Sequence, residues 1–176
     1  MNPFLDDALL QFRKLKQLAD QAVAQLPVDR FFHAPAPGSN CVAIILKHIA
    51  GNQNSRWRDF LTTDGEKTDR DRDSEFELRD DTRESILARW ESGWRLLFDA
   101  LAPLSDADLA RTVTVRGEPH TVLQATNRQM THYAYHVGQL VYVARQLTGA
   151  SWTSLSIPLG KSKEWEVAKD GRRYRP

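Results

Sequence analysis

The stretch HYAYHVGQ, residues 132–139, places two histidines, His132 and His136, four positions apart. Residues four apart in an α-helix lie on one face, one turn from each other. Steps of three and four along the chain from this pair reach Ala125, Gln129, Leu140, Val143 and Leu147. The pattern predicts a helix whose inward face carries both imidazoles, and it raises the question of what those imidazoles bind.

Three other segments show the same periodicity of apolar residues, so we expect four helices. The predicted bounds are Asn2–Leu26, Cys41–Leu61, Asp81–Leu101 and, for the histidine helix, Thr121–Thr148. Asn2 before Pro3 is a typical helix start, and capping boxes are predicted for Asp81 with Glu84 and for Thr121 with Gln124. We predict an all-α fold, a four-helix bundle in one domain over residues 1–176.

The connections between these helices are of unequal kinds. Residues 62–81 are polar and charged, which predicts a long connection on the surface. Residues 112–120, TVTVRGEPH, alternate in polarity around a glycine, which predicts a short hairpin or an extended excursion between helices three and four. Residues 151–165 show no clear period and are expected to wrap over the bundle. The long connections allow crossovers as well as simple up-and-down turns.

The composition and charge of the chain argue against some classes of function. Hydrophobic residues make up 41% of the 176 residues and charged residues 27%, a balance typical of globular proteins. The net charge of +1 argues against nucleic-acid binding, and the basic tail of Arg172, Arg173 and Arg175 is interpreted as a solvated end. No apolar run approaches transmembrane length, and the N-terminus lacks a signal-peptide layout, so we expect a cytoplasmic protein without membrane contact.

The one cysteine, Cys41, excludes an internal disulfide and a cysteine-rich zinc site. Its apolar neighbours predict a buried, unreactive thiol rather than a nucleophile. Metal ligands in this chain would therefore be imidazoles or carboxylates.

A third histidine lies on the apolar stripe of the second helix. His48 falls in register with Cys41, Ile45 and Asn52. His33, in a loop, and His120, just before the fourth helix, compete for the same role, but both are expected to be exposed. Buried imidazoles need partners for their ring nitrogens, and three neutral imidazoles around a divalent ion satisfy that need while leaving one position open.

Several blocks carry a resemblance to a known superfamily. They are SNCVAIILKHIAGNQNSRWRDFLTTDGEK (39–67), HYAYHVGQLVYVA (132–144) and SLSIPLGKS (154–162). With His48 late in helix two and the H-x-x-x-H-x-G-Q pattern, the chain resembles the DinB/YfiT-like superfamily of bundle metalloproteins, in a branch of unknown function. The resemblance implies a bundle with a long crossover, a homodimer, and a divalent ion such as nickel or zinc bound by His48, His132 and His136.

Characterised relatives in that superfamily include low-molecular-weight-thiol transferases and a thiol-dependent isomerase, so the resemblance leaves the reaction open. A divalent ion with an open position promotes loss of a proton from a thiol or a water. We expect either transfer of a small thiol to an electrophilic substrate or hydrolysis of a small amide or ester. The alternative is a non-catalytic, metal-stabilised dimeric bundle that serves as a binding or regulatory module.

Other polar residues near the histidines have two interpretations each. Asn52 and Gln139 either orient an imidazole or are ordinary polar residues of a helix surface. Arg56 either receives a substrate carboxylate or forms a surface or interface ion pair.

Gly51, in the middle of a helix, costs about 1 kcal/mol relative to alanine and therefore indicates close packing or a nearby ligand. Tyr133 and Tyr135 lie on other faces and are not expected to be catalytic.

Overall fold

The computed structural model describes residues 3–162. Within them the chain forms four α-helices and one small antiparallel sheet. The elements are α1 (Pro3–Gln25), α2 (Val42–Trp57), α3 (Arg83–Leu101), β1 (Thr112–Val115), β2 (Glu118–Thr121) and α4 (Val122–Thr148). The predicted all-α class is confirmed. The Asn2 cap and the basic tail lie outside the described residues.

Each helix buries the apolar stripe that the sequence predicts. Helix α2 packs against α3 and α4, and α1 packs against α4 and α3. On α3 the apolar residues at steps of three and four are fully buried: Ile86, Trp90, Trp94, Leu97 and Leu101. Burying a large apolar side chain contributes about 1.5–3 kcal/mol, so stabilisation of the helices comes mainly from this shared core. None of the described helices combines the length and the apolar composition that crossing a bilayer requires.

The helix starts match the sequence prediction at α4 and differ at α3. Thr121 and Gln124 form the predicted reciprocal capping box on α4. On α3 the box joins Thr82 to Ser85, so the predicted box of Asp81 and Glu84 is wrong. The Asp81 carboxylate is already engaged, because Lys47 Nζ lies 2.6 Å from its Oδ2 and Arg89 contacts Oδ1.

Helix α2 ends at Trp57, earlier than the predicted end at Leu61. Arg58 is extended, and Asp59 adopts a positive φ of 50°. The Asp59 carbonyl then accepts backbone N–H groups from Thr62 and Thr63, both at 3.1 Å. This turn sends the chain back along α2 and starts the α2–α3 connection, residues 58–82.

The predicted hairpin is confirmed. Strands β1 and β2 pair antiparallel with Val115 opposite Glu118, which leaves Arg116 and Gly117 as a two-residue loop. Both loop residues have positive φ, 58° and 76°, as a type I′ turn requires. The Asp64 carboxylate accepts both loop N–H groups, at 2.8 and 2.7 Å, and so joins the α2–α3 connection to the hairpin.

The α2–α3 connection is not the plain surface loop that its composition predicts. The Glu75 side chain and the Arg70 side chain are only 7% and 5% exposed. A 3₁₀ turn at Asp73–Phe76 packs on α2 and carries this glutamate. Glu75 and Arg70 pair with each other, so these two buried charges compensate one another, while most of the neighbouring charged residues stay exposed. Further along, the backbone of Thr153 exchanges two hydrogen bonds with the Gln25 side chain, so the described part of the last segment does contact α1.

Candidate metal centre

Three histidines from two helices meet at one point. Helix α2 provides His48, and α4 provides His132 and His136 on adjacent turns of one face. Their potential ligand atoms all lie within 4.8 Å of one another. The ring centroids are 5.5 Å apart for His48 and His132, 4.7 Å for His48 and His136, and 4.6 Å for His132 and His136. The structure thus brings together the three histidines that the sequence indicates.

The two competing histidines lie elsewhere. His33 is exposed in the loop before α2. His120 is half-buried in β2, where it pairs with Val113 across the hairpin, so the expectation that it is exposed is wrong. Neither belongs to the cluster formed by the other three histidines.

A buried glutamate holds the His48 ring. Glu75 Oε2 lies 2.8 Å from His48 Nδ1, and both side chains are buried. Arg70 donates two hydrogen bonds to the same carboxylate, from two nitrogens at 2.8 and 2.9 Å. Burial raises the pKa of the Glu75 carboxyl, but hydrogen bonds from His48 and Arg70 outweigh it and lower that pKa. Because a carboxylate only accepts, Nδ1 carries a proton, and in the neutral imidazole the lone pair that can bind a cation is then on Nε2.

Gly51 makes room for that carboxylate. A Cβ at this position would lie 2.4 Å from Glu75 Oε1 and 2.7 Å from Glu75 Cδ. Any side chain at residue 51 would therefore collide with the group that orients His48. The helical glycine, whose sequence context indicated close packing or a ligand, reflects close packing against Glu75.

The other two rings also suit a cation. His136 Nδ1 lies 2.8 Å from Gln139 Oε1, so the amide oxygen accepts and Nε2 is again free. His132 Nδ1 is buried without a hydrogen-bond partner among the described residues. Burial, with His136 and His48 nearby, lowers the pKa of His132 to about 3, and burial also lowers the pKa of His136. Both rings are neutral at pH 7, the form that binds a divalent ion.

Asn52 supports the core rather than an imidazole. Its Oδ1 accepts the hydroxyl of Tyr133 at 3.0 Å, and that hydroxyl in turn accepts Trp57 Nε1 at 3.0 Å. With the Gln129 amide nitrogen toward α2, it donates to the same Asn52 oxygen at 3.1 Å. Tyr133 is fully buried, which fits its exclusion from the catalytic candidates.

The histidines line an open cavity of about 680 Å³. Arg56 also lines it, but as a buried side chain, 3% exposed, paired with Glu66 at 2.9 Å. The expectation of a surface or interface ion pair is therefore wrong for Arg56, because its partner comes from the α2–α3 connection that covers it. Phe76 closes one side by packing on the His48 ring, with centroids 4.7 Å apart.

Glu75, Arg70 and Glu66 were not predicted from the sequence. All three lie in a run of charges where nothing in the composition distinguishes a buried carboxylate from a solvated one. The available signals were Gly51, which requires a close neighbour, and Phe76, an aromatic residue inside the polar run.

A comparison with family models supports the resemblance. The model of a protein family of unknown function (DUF1572) matches residues 1–161. The chain belongs to the DUF1572 family. It is a DinB/YfiT-like family, and its description assigns no activity. No curated protein and no solved structure matches the chain.

Proposed function

We propose that this DUF1572 protein is a metal-dependent enzyme that holds a divalent transition ion, zinc or nickel, through His48, His132 and His136. The observation that carries the proposal is the buried Arg70–Glu75–His48 relay beside two further neutral imidazoles. A carboxylate behind a histidine is the usual arrangement around a protein metal site, since it fixes the tautomer and the ring orientation.

Residues of the chain prepare the site for its ligand. Glu75 fixes His48, and Gln139 fixes His136, so two Nε2 lone pairs are directed before anything binds. Burial keeps the rings of His132 and His136 neutral, and a bound ion would supply Lewis-acid chemistry that favours the anionic form of a thiol or water. The cavity beside the histidines gives such a molecule access.

The ligand count supports catalysis over a purely structural ion. Structural zinc sites are usually closed by four protein ligands, whereas catalytic sites use three and leave a position for substrate. Among residues 3–162 the cluster contains three metal-binding side chains. A fourth ligand from a second copy would instead favour the non-catalytic dimeric module.

The nucleophile is expected to come from outside the protein. Cys41 is 1% exposed at the N-cap position of α2, and burial raises the pKa of its thiol. It is not among the residues that line the cavity. A small thiol or a water therefore remains the reactive group, acting on a small electrophilic, amide or ester substrate.

Metal content tests the site. We would purify the untagged protein without chelators and measure bound metals by elemental mass spectrometry in wild type, His48→Ala, His136→Ala and the matched control His33→Ala. We expect one equivalent of ion in wild type and in the control, and loss in the other two. An empty wild type that takes up neither zinc nor nickel would refute the metal site.

Activity is tested separately. The loaded protein would be screened with small thiols plus an electrophile, and with small esters and amides without thiol. Thiol-dependent turnover supports a transferase, and thiol-independent turnover a hydrolase. A loaded protein inactive in both screens supports the non-catalytic module.

The proposal also includes a homodimer, a bundle with long crossover connections and a cytoplasmic location. The resemblance to the superfamily favours the first two, and the single cysteine favours a reducing compartment. Light scattering of the purified protein tests the homodimer.

A further inference from the structure

The cavity wall beside the three histidines is rich in arginine. Five arginines line it, and they come from different parts of the chain: Arg56, Arg70, Arg72, Arg116 and Arg128. Helices α2 and α4, the α2–α3 connection and the hairpin loop each contribute. No aspartate or glutamate of the described residues lines the cavity. Arginines that converge on one space from separate elements are not explained by helix propensity or surface solvation.

Three of these arginines have a role inside the protein. Glu66 accepts hydrogen bonds from Arg56 at 2.9 Å, from Arg70 at 3.2 Å and from Arg116 at 2.9 Å. Arg70 also holds Glu75. These pairs fix the α2–α3 connection over the site, so their charges are largely compensated.

Arg72 and Arg128 have no such role. The Arg72 guanidinium lies 5.1 Å from the ring centre of Phe76, an apolar partner. With the Gln129 amide nitrogen toward α2, Arg128 donates to the Gln129 amide oxygen at 3.2 Å, a neutral acceptor. Both side chains belong to exposed residues, and within residues 3–162 neither forms an ion pair with a carboxylate. They bring two uncompensated positive charges to the wall of the cavity.

Guanidinium groups recognise carboxylates and phosphates through paired, charge-assisted hydrogen bonds. A cavity of about 680 Å³ fits a small molecule. Since the histidines share that space with Arg72 and Arg128, one ligand can contact both groups.

We propose that the cavity binds a small anionic substrate whose carboxylate or phosphate group is held by Arg72 and Arg128, with its reacting group toward the three histidines. The second half of this statement rests on the proposed metal-dependent function. The anion site itself belongs to the side chains and is present without an ion.

The test uses chelator-treated, ¹⁵N-labelled protein, so that no metal ion contributes to anion binding. Inorganic phosphate and succinate are titrated in turn, and the arginine side-chain and backbone NMR signals are followed. The variants are Arg72→Gln, Arg128→Gln and the control Arg145→Gln, an exposed arginine on α4 that does not line the cavity.

We expect saturable shifts near Arg72 and Arg128, with the tighter of the two probes identifying the anion class. Each cavity variant weakens binding by about tenfold or more, since a hydrogen bond to a charged group is lost. Arg145→Gln binds as wild type does. Equal binding in wild type and both cavity variants, or equal loss in the control, would overturn the proposal.

The result of the anion titration can be separated from the result of the test of the metal centre. A parallel zinc titration of the same preparations reports on the histidines. Anion binding without zinc binding would retain the anion site and reject the proposed metal function, whereas zinc binding without anion binding would do the reverse.

Discussion

Gly51 offers the sharpest test of how the centre is organised, because Gly51→Ala reaches the metal site only through Glu75. The new Cβ would lie 2.4 Å from Glu75 Oε1. Contacts below 3.0 Å essentially do not occur, and ordinary contact begins at 3.4 Å. The carboxylate oxygen must therefore move by about 0.6–1.0 Å.

The Glu75 carboxylate has little freedom to make that movement. Its oxygens are held at 2.8 Å from His48 Nδ1 and at 2.8 and 2.9 Å from two nitrogens of Arg70. Displacement breaks or weakens these bonds, at a cost of about 1–3 kcal/mol for buried charged partners. The higher helix propensity of alanine stabilises α2 by about 1 kcal/mol and offsets part of this cost. Loss of the group that orients a ligand histidine lowers metal affinity by about 10–100-fold.

Gly138→Ala is the matched control. It makes the same change in α4, two residues after His136, but its Cβ meets nothing within 4 Å. We expect this variant to gain up to about 1 kcal/mol of stability and to keep its metal affinity.

Zinc affinity would be measured by competition with a fluorescent chelator, and stability by urea denaturation of the metal-free proteins. Glu75→Gln should reproduce the loss of affinity seen in Gly51→Ala. If Gly51→Ala binds zinc as tightly as Gly138→Ala does, then Glu75 does not orient His48 and the reasoning fails. If both alanine variants lose affinity equally, the loss does not arise at Glu75.

Three further predictions concern charge, metal and hydrogen bonding. Burial raises the pKa of the Glu66 carboxyl, but hydrogen bonds from Arg116 and Arg56 outweigh it and lower that pKa from 4.5 to about 2. The stabilisation is complete above the higher value and is lost as the pH falls toward the lower one, so wild-type stability should decline more steeply there than that of Glu66→Gln in denaturant titrations. Chelator should lower the Tm of wild type and leave that of His136→Ala unchanged, with about 2.7 kcal/mol lost if the free ion had been at 100 times its Kd. Tyr133→Phe removes the hydroxyl between Trp57 and Asn52 and should cost about 1–3 kcal/mol in urea denaturation, without changing zinc affinity.

Periodicity was sufficient to predict the helices and the histidine cluster. Apolar residues at steps of three and four place His48 on the inner face of one helix and His132 with His136 on the inner face of another. Two inward faces of one small core pack together, so a meeting of the three rings was expected from periodicity and from the resemblance to the superfamily. Periodicity does not fix the level along the helices at which the rings meet.

The residues behind the histidines were not predictable in the same way. Glu75 and Arg70 lie in a charged segment without periodicity, and their burial depends on the path of the chain after α2 ends at Trp57. That path is set by the positive φ at Asp59 and by Asp64 contacts to the hairpin loop, which link residues about fifty positions apart. Local patterns carry no information on such long-range pairing.

The ion pairs form one continuous chain from the centre to the hairpin. His48 contacts Glu75, Glu75 contacts Arg70, Arg70 contacts Glu66, and Glu66 contacts Arg116. Glu75 is shared between His48 and Arg70, and Glu66 between Arg56, Arg70 and Arg116. Neutralising either carboxylate therefore removes one of the two anions that bind Arg70. A buried arginine is destabilised when it loses an anionic partner, so the two carboxylates that share Arg70 should be energetically coupled. We therefore expect a non-additive effect of substitutions at Glu66 and Glu75. The α2–α3 connection therefore acts as part of the site: it sets the orientation of one candidate ligand and carries two of the five arginines that line the cavity, Arg70 and Arg72.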